Sequence, residues 1–170
     1  MKKIITLFAF VSFLAISGCS TSDDFEEDFD TIGTVYENVA PDYYNFTPDN
    51  NYSVGFDFPV PLVESDVALV YRFDGTDNAG RPVWQALPET YYFDDGTRDF
   101  SFKYIFTRDY VDIYLDGNSR STISADYRLN QIFRIVVVPA DFAASMDTSN
   151  YAEVMNTLKI SETNVKKVKL

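Results

Sequence analysis

The sequence contains no histidine, and its one cysteine is Cys19, close to the amino terminus. Histidine is the usual general base near neutral pH, and histidine and cysteine are the common zinc ligands. Without them, the rest of the chain cannot support Ser-His-Asp or Cys-His catalysis, thiol redox chemistry or the usual zinc sites. We therefore predict a protein that is not an enzyme and has no cofactor.

Basic residues are also scarce, with 14 Lys and Arg against 26 Asp and Glu in 170 residues, a net charge of −12. Removal of Lys2 and Lys3 with a leader peptide would leave 12 basic residues against 26 acidic ones, or −14. Such a surface repels a phosphate backbone, and the basic residues form no cluster before the tail at 166–169. The charge therefore predicts no nucleic-acid partner.

The amino-terminal segment has the pattern of a bacterial lipoprotein signal peptide. Two lysines precede an apolar run over 4–16, and small residues then lead directly to Cys19. The run is shorter than the about 20 residues needed to span a bilayer. We therefore interpret 1–18 as a signal peptide cleaved between Gly18 and Cys19, with the Cys19 sulfur lipidated as the membrane anchor.

Residues 19–30 are predicted to be the lipidated cysteine and an acidic tether. Six of the eight residues over 23–30 are acidic, and they form no periodic apolar face. Acids just after the lipidated cysteine resemble the export signal that sends Bacteroidota lipoproteins to the outer face of the outer membrane. The resemblance implies an outer-membrane protein on the cell-surface face, with the periplasmic face as the alternative.

Residues 31–170 are predicted to form a single all-β domain. Short runs that alternate apolar and polar residues are separated by turn residues, and aromatic and β-branched residues are abundant. The pattern favours an antiparallel β-sandwich, Ig-like in general shape, with six to eight strands and one short C-terminal helix over 151–160. The expected strands cover 52–58, 67–73, 83–87, 89–93, 99–106, 110–115, 132–138 and, as a last edge strand, 165–170. We expect Trp84 to fill the centre of the sandwich.

Asp-rich turns are the first candidate sites. Oxygen ligands suit Ca²⁺, and Asp74 with Asp77 is the favoured pair among three such turns, the others lying at 94–99 and 116–118. None of these turns has the spacing of an EF-hand. Asp, Asn and Gly are also the residues that hairpin turns require for their own geometry.

Paired tyrosines are the second candidate sites. Neighbouring residues of a strand point to opposite faces, so one tyrosine of each pair is expected to face outward. An exposed tyrosine can stack on a sugar ring, which makes glycan binding a hypothesis beside ordinary packing. The candidate residues are Tyr43, Tyr44, Tyr91 and Tyr92.

Three segments, at 65–72, 84–88 and 130–139, resemble a group of small Bacteroidota surface lipoproteins of unknown function. Some members carry a collagen-like stretch after the lipidated cysteine, where this chain has its acidic segment. The resemblance covers roughly 50–160 and implies a fold and a location, without catalytic residues. Relatives in that group are sometimes labelled dihydrolipoamide dehydrogenases, but the residues of this chain reject that label, because it has no Gly-x-Gly-x-x-Gly motif and no redox cysteine pair.

The leading functional hypothesis is a non-catalytic, membrane-anchored module of the cell envelope that contacts another protein or a glycan. A carbohydrate- or calcium-binding accessory domain is the alternative. A small hydrolase that uses paired carboxylates is the remote third hypothesis, since a small sandwich has little room for a deep cleft.

Overall fold

The computed structural model describes residues 33–169, which form an all-β sandwich with short helices. The predicted signal peptide, Cys19 and the tether over 19–30 lie outside the described residues. The strands are β1 Thr34–Asn38, β2 Ser53–Asp57, β3 Asp66–Thr76, β4 Pro82–Ala86, β5 Glu89–Tyr92, β6 Arg98–Phe106, β7 Tyr110–Gly117, β8 Phe133–Pro139 and β9 Lys166–Val168. The helices are α1 Ala125–Arg128, α2 Ala140–Ala143 and α3 Tyr151–Thr157, and 3₁₀ turns occupy Pro48–Asn50, Arg120–Thr122 and Glu162–Asn164.

The strands form a five-stranded sheet in the order β4-β3-β8-β1-β9 and a four-stranded sheet in the order β2-β7-β6-β5. Every neighbouring pair is antiparallel except β1 and β9, which run parallel. The sandwich and the short C-terminal helix are confirmed. The described residues contain nine strands, more than the six to eight expected, because β1 was not predicted.

The sandwich has two distinct ends. At the entry end, where the chain enters β1, Thr34 pairs with Val137 and Asp66 pairs with Pro139. The β6–β7 turn lies at this end too. The loop that leads from β2 to the start of β3 contacts it, since the amide of Phe58 in that loop donates to the Asp109 carbonyl at 2.8 Å. The far end carries the β3–β4 turn, the β5–β6 turn and the segment over 118–132.

The main core fills the space between the two sheets. At its centre, the rings of Phe46, Phe102 and Phe133 lie with centroids 5.7 to 6.1 Å apart, in edge-to-face arrangements. Each is buried, and each comes from a different part of the chain: a loop, β6 and β8. Burial of such rings supplies much of the hydrophobic stabilisation that joins the sheets.

A second apolar cluster covers the outer face of the five-stranded sheet. Val154, Met155 and Leu158 of the α3 region pack there, so β8 is buried on both faces. Trp84 belongs to this outer cluster, with its ring 5.5 Å from that of Tyr151. The prediction that Trp84 fills the centre was therefore wrong, because its position in β4 directs the indole to the helix-covered face.

The carboxyl-terminal elements follow the expected pattern. Asn150 caps α3 by accepting a hydrogen bond from the Glu153 amide at 3.2 Å. The helix ends at Thr157 rather than at residue 160, and Lys159 then adopts a left-handed φ of 54°. Over 33–169, α3 and the other helices are all too short to cross a bilayer as an apolar span.

Candidate binding cleft at the far end

Arg72 lies in β3 with its side chain only 5% exposed, and it is the centre of the candidate site. Its Nε donates to Glu89 Oε2 at 2.8 Å, and its Nη2 lies 2.6 Å from Asp74 Oδ1. The same Nη2 donates to the Tyr91 hydroxyl at 2.8 Å. Tyr91 in turn donates to Glu89 Oε1 at 2.6 Å, which closes the network.

The electrostatics of this network keep Arg72 charged and Tyr91 protonated. Burial of Arg72 lowers its pKa, but hydrogen bonds with Glu89 and Asp74 outweigh this effect and the pKa is raised overall. The pKa of Tyr91 is raised, first by burial and then by its hydrogen bond to Glu89. The guanidinium and the phenol are therefore fixed hydrogen-bond donors at physiological pH.

A cleft of about 470 Å³ opens beside this network at the far end. One wall is the end of β3, and the other is α1 with the segment that leads into β8. The lining residues are Arg72, Phe73, Asp74, Gly75, Ala125, Asp126, Leu129, Asn130, Gln131 and Ile132. The volume lies within the range of small-molecule sites, and the lining combines carboxylate and amide groups with apolar side chains.

Local hydrogen bonds fix the wall that follows α1. Gln131 exchanges backbone hydrogen bonds with Tyr44, and its Nε2 donates to the carbonyls of Asp126 and Leu129 at 2.7 and 2.8 Å. Asn130 has a left-handed φ of 56°, and its amide donates to Asn45 Oδ1 at 3.0 Å. A wall held in this way can bind a ligand without first becoming ordered.

The two calcium candidates are engaged by arginines. Asp74 pairs with Arg72, whereas Asp77 accepts from the amides of Ala79 and Arg81 and lies 2.7 Å from Arg81 Nε. The backbone hydrogen bond from Arg81 is the main reason that the pKa of Asp77 is lowered. Over 33–169, no group of three or more Asp, Glu, Cys or His residues is arranged to hold a metal. The geometry gives the calcium hypothesis no support.

The other Asp-rich turns also have structural roles. Asp95 accepts from the amide and the hydroxyl of Thr97 at 2.8 and 2.6 Å, which stabilises the β5–β6 turn. Asp116 lies 2.5 Å from Lys103 Nζ and 3.1 Å from Arg98 Nη1.

The four candidate tyrosines occupy very different environments. Tyr44 is buried and donates to the Gly55 carbonyl at 3.1 Å, and Tyr43 is half-buried. Tyr91 faces inward, because β5 pairs Tyr91 with Phe100 of β6 and the two rings stack at 4.7 Å. Tyr92 faces outward and is 65% exposed. It is therefore the candidate best placed to meet a glycan.

A second buried arginine, Arg134 of β8, lies on the opposite face of the five-stranded sheet. Its Nε lies 2.5 Å from Glu37 Oε2, and its Nη2 lies 2.5 Å from Glu162 Oε2. Its guanidinium sits 4.2 Å above the Trp84 ring and also contacts Tyr151. This cluster joins the C-terminal segment to the sheet, so we interpret it as structural.

Sequence analysis missed Arg72 and the loop that faces it. The signal was present, because Arg72 is the one charged residue inside the otherwise apolar run at 67–73. A charge in a central strand requires a buried partner. The sequence does not say that the partners would be Glu89 and Asp74.

No family model matches the chain, and no curated protein or solved structure is significantly similar to it. The fold and the cleft therefore carry the functional argument.

Proposed function

We propose that this protein is a non-catalytic binding module of the cell envelope, anchored through lipid at Cys19 and facing the cell exterior. The observation that carries the proposal is the relative position of the chain entry and the cleft. The chain reaches β1 at the entry end, and the cleft beside Arg72 opens at the far end. An anchored protein of this form holds its cleft away from the membrane.

The length of β3 supports this arrangement, because the strand runs from one end of the sandwich to the other. Its 11 residues extend about 35 Å at the usual rise per residue. Arg72 and Asp74 lie near its far end, whereas Asp66 starts it beside Pro139. A ligand on a neighbouring cell or in the medium could reach the cleft without meeting the lipid surface.

The chemistry of the cleft favours binding over catalysis. The chain offers no histidine, and Cys19 is assigned to the anchor. A hydrolase with paired carboxylates needs one carboxyl group that can give up a proton to the substrate. In the cleft, Asp74 is engaged in an ion pair with Arg72 at 2.6 Å, which gives it a structural role. A rigid, hydrogen-bonded site of this kind suits recognition.

Lipidation is tested by labelling cells that express the chain with an alkyne analogue of palmitate. We expect the wild-type protein and a Ser20→Ala control to be labelled, and Cys19→Ser to be unlabelled and to keep its leader peptide. The reason is that only the cysteine sulfur can carry the diacylglycerol. An unlabelled wild-type protein in the cytosol would contradict the proposal.

The side of the membrane is tested by protease treatment of intact cells. A surface-facing protein is degraded before the cells are permeabilised, whereas a periplasmic one is protected until then. A periplasmic marker protein serves as the control for cell integrity. Protection in intact cells would support the alternative, periplasm-facing location and contradict the cell-surface part of the proposal.

A carbohydrate is the second candidate ligand, favoured by the exposed ring of Tyr92 at the same end as the polar cleft. If a glycan array yields a ligand, we expect Asp126→Asn to weaken its binding about tenfold, as loss of one hydrogen bond to a charged group does. Tyr92→Ala should weaken it as well. Isothermal titration measures both changes.

The matched control is Asp141→Asn, an exposed aspartate of α2 at the entry end. Tyr91→Ala is unsuitable, because it would disrupt the network around Arg72. Equal binding by Asp126→Asn, Tyr92→Ala and the control would exclude the cleft end as the glycan site.

A further inference from the structure

Four exposed apolar side chains lie at the entry end of the sandwich. Val60 is 72% exposed, Val63 58%, Ile105 51% and Phe106 38%. The first two belong to the loop between β2 and β3, and the other two end β6 beside the turn into β7. We call these four residues the entry-end patch. They are a majority of the seven exposed large hydrophobic residues in the described chain.

One backbone hydrogen bond and one side-chain hydrogen bond hold the loop against the β6–β7 turn. The amide of Leu62 donates to the Arg108 carbonyl at 2.7 Å, and Arg108 Nε donates back to the Leu62 carbonyl at 2.8 Å. Leu62 itself is buried, whereas Val60 and Val63 of the same loop are exposed. The loop therefore presents its valines in a fixed arrangement and does not fold them into the core.

The position of the patch favours the anchored membrane as its partner. Gly33 follows Cys19 by only 14 steps along the chain, which at most about 3.6 Å each span no more than about 50 Å. Gly33 precedes β1 at the same end as the patch. We propose that the entry-end patch rests on the lipid surface to which Cys19 is anchored, an inference that depends on the proposed lipid anchor.

Tethering makes such a small patch sufficient. Four side chains would hold a free protein on a membrane only weakly, because they bury little apolar area. A short tether raises the effective concentration of the membrane surface near the patch, so a weak contact becomes populated. The patch then sets the orientation of the domain and not its affinity for the membrane.

Charge at the same end selects the kind of lipid. Glu64 is almost fully exposed and Asp109 is exposed, whereas Arg108 beside them and Lys166 near Gly33 are cations. An anionic headgroup would be repelled by this end and by the net charge of the whole chain. The partner is therefore a surface of zwitterionic or uncharged headgroups.

The test uses the full lipidated chain with one added cysteine, which is the only free thiol once Cys19 is acylated. Val63→Cys and the matched far-end variant Phe93→Cys, whose parent side chain is 54% exposed, are labelled with an environment-sensitive fluorophore. Both are reconstituted into phosphatidylcholine vesicles. We expect a blue-shifted emission and several-fold weaker quenching by aqueous iodide at residue 63 only, and a smaller effect after phosphatidylglycerol is added.

A second set of variants separates lipid contact from a local folding change. With the fluorophore at Ile105→Cys, the double variant Val60→Asp, Val63→Asp should lose the protection from iodide while still floating with vesicles. The control pair Tyr92→Asp, Phe93→Asp should keep that protection.

Equal quenching at residues 63 and 93 in protein that floats with vesicles would overturn the inference and leave the anchor intact. Failure of every variant to float would instead contradict the anchor and the proposed function. Protection at residue 63 that is independent of vesicles and grows with protein concentration would show a contact between two copies of the chain, and would also overturn the inference.

Discussion

Replacement of Arg134 by methionine is expected to lower the free energy of unfolding by about 3 kcal/mol, the lower end of the cost of breaking a buried ion pair. The Arg134 side chain is 3% exposed and that of Glu37 is 10% exposed, so the substitution leaves a buried carboxylate without its main partner. Lys167 still contacts Glu37, which keeps the loss from being larger. The C-terminal segment also loses its attachment through Glu162.

Urea denaturation of the mature polypeptide without its acyl groups measures this change. The matched control is Arg98→Met, because Arg98 pairs with Asp116 at 3.1 Å but its side chain is 40% exposed. An exposed ion pair contributes about 0–1 kcal/mol. A similar loss in both variants would show that burial does not set the strength of the Arg134 cluster.

The pH dependence of the free energy of unfolding gives an independent measure of the contact between Arg134 and Glu162. The hydrogen bond from Arg134 is the largest reason that the pKa of Glu162 is lowered from its usual 4.5. A lowered folded pKa stabilises the protein above pH 4.5, and this contribution is lost as the pH falls through the folded value. We expect the wild-type protein to lose only a modest part of its unfolding free energy on acidification, because the Glu162 side chain is 63% exposed. The loss should be smaller in Arg134→Met, which lacks this ion pair.

Most strands could be predicted from their sequences. A strand with one buried face alternates apolar and polar residues, and a strand buried on both faces is continuously apolar. β1 could not be predicted, because Glu37 and Asn38 occupy buried positions in it. Their burial is possible only through distant residues. Glu37 pairs with Arg134, and Asn38 accepts from the Phe133 amide at 2.7 Å. The residues around β1 in the sequence do not indicate these distant partners.

Alternation also leaves the direction of each side chain open. It predicted that one of Tyr91 and Tyr92 faces out, but not which one. The register of β5 on β6, which places Tyr91 opposite Phe100, decides this. The same limit explains the error for Trp84, since the pattern of β4 does not say which face α3 covers.

The cleft is beyond the reach of sequence patterns for a different reason. Its two walls, the end of β3 and the segment from α1 to β8, are separated by about fifty residues of chain. They meet because β3 and β8 pair with Arg72 opposite Phe133. Turn composition and aromatic pairs suggested Asp74 and Tyr91 for separate functions. Both side chains in fact contact the same guanidinium.

The largest single effect is expected at Phe102, where substitution by alanine should cost about 3–5 kcal/mol of unfolding free energy. Phe102 is fully buried, and its ring packs against those of Phe46 and Phe133, which cannot close the cavity without moving both sheets. The Arg72 guanidinium lies 5.3 Å above the same ring. Loss of the Phe102 ring should therefore also make the position of Arg72 in the cleft less fixed.

Phe106→Ala is the matched control, because it removes the same ring from the same strand at a position that is 38% exposed. We expect a cost of about 1–2 kcal/mol there, in line with partial burial. Urea denaturation compares the two variants, and amide hydrogen exchange over 125–132 reports on the wall of the cleft. Exchange should accelerate in Phe102→Ala and not in Phe106→Ala. Equal costs in the two variants would mean that the core is not centred on Phe102, and that the register of β6 described above is wrong.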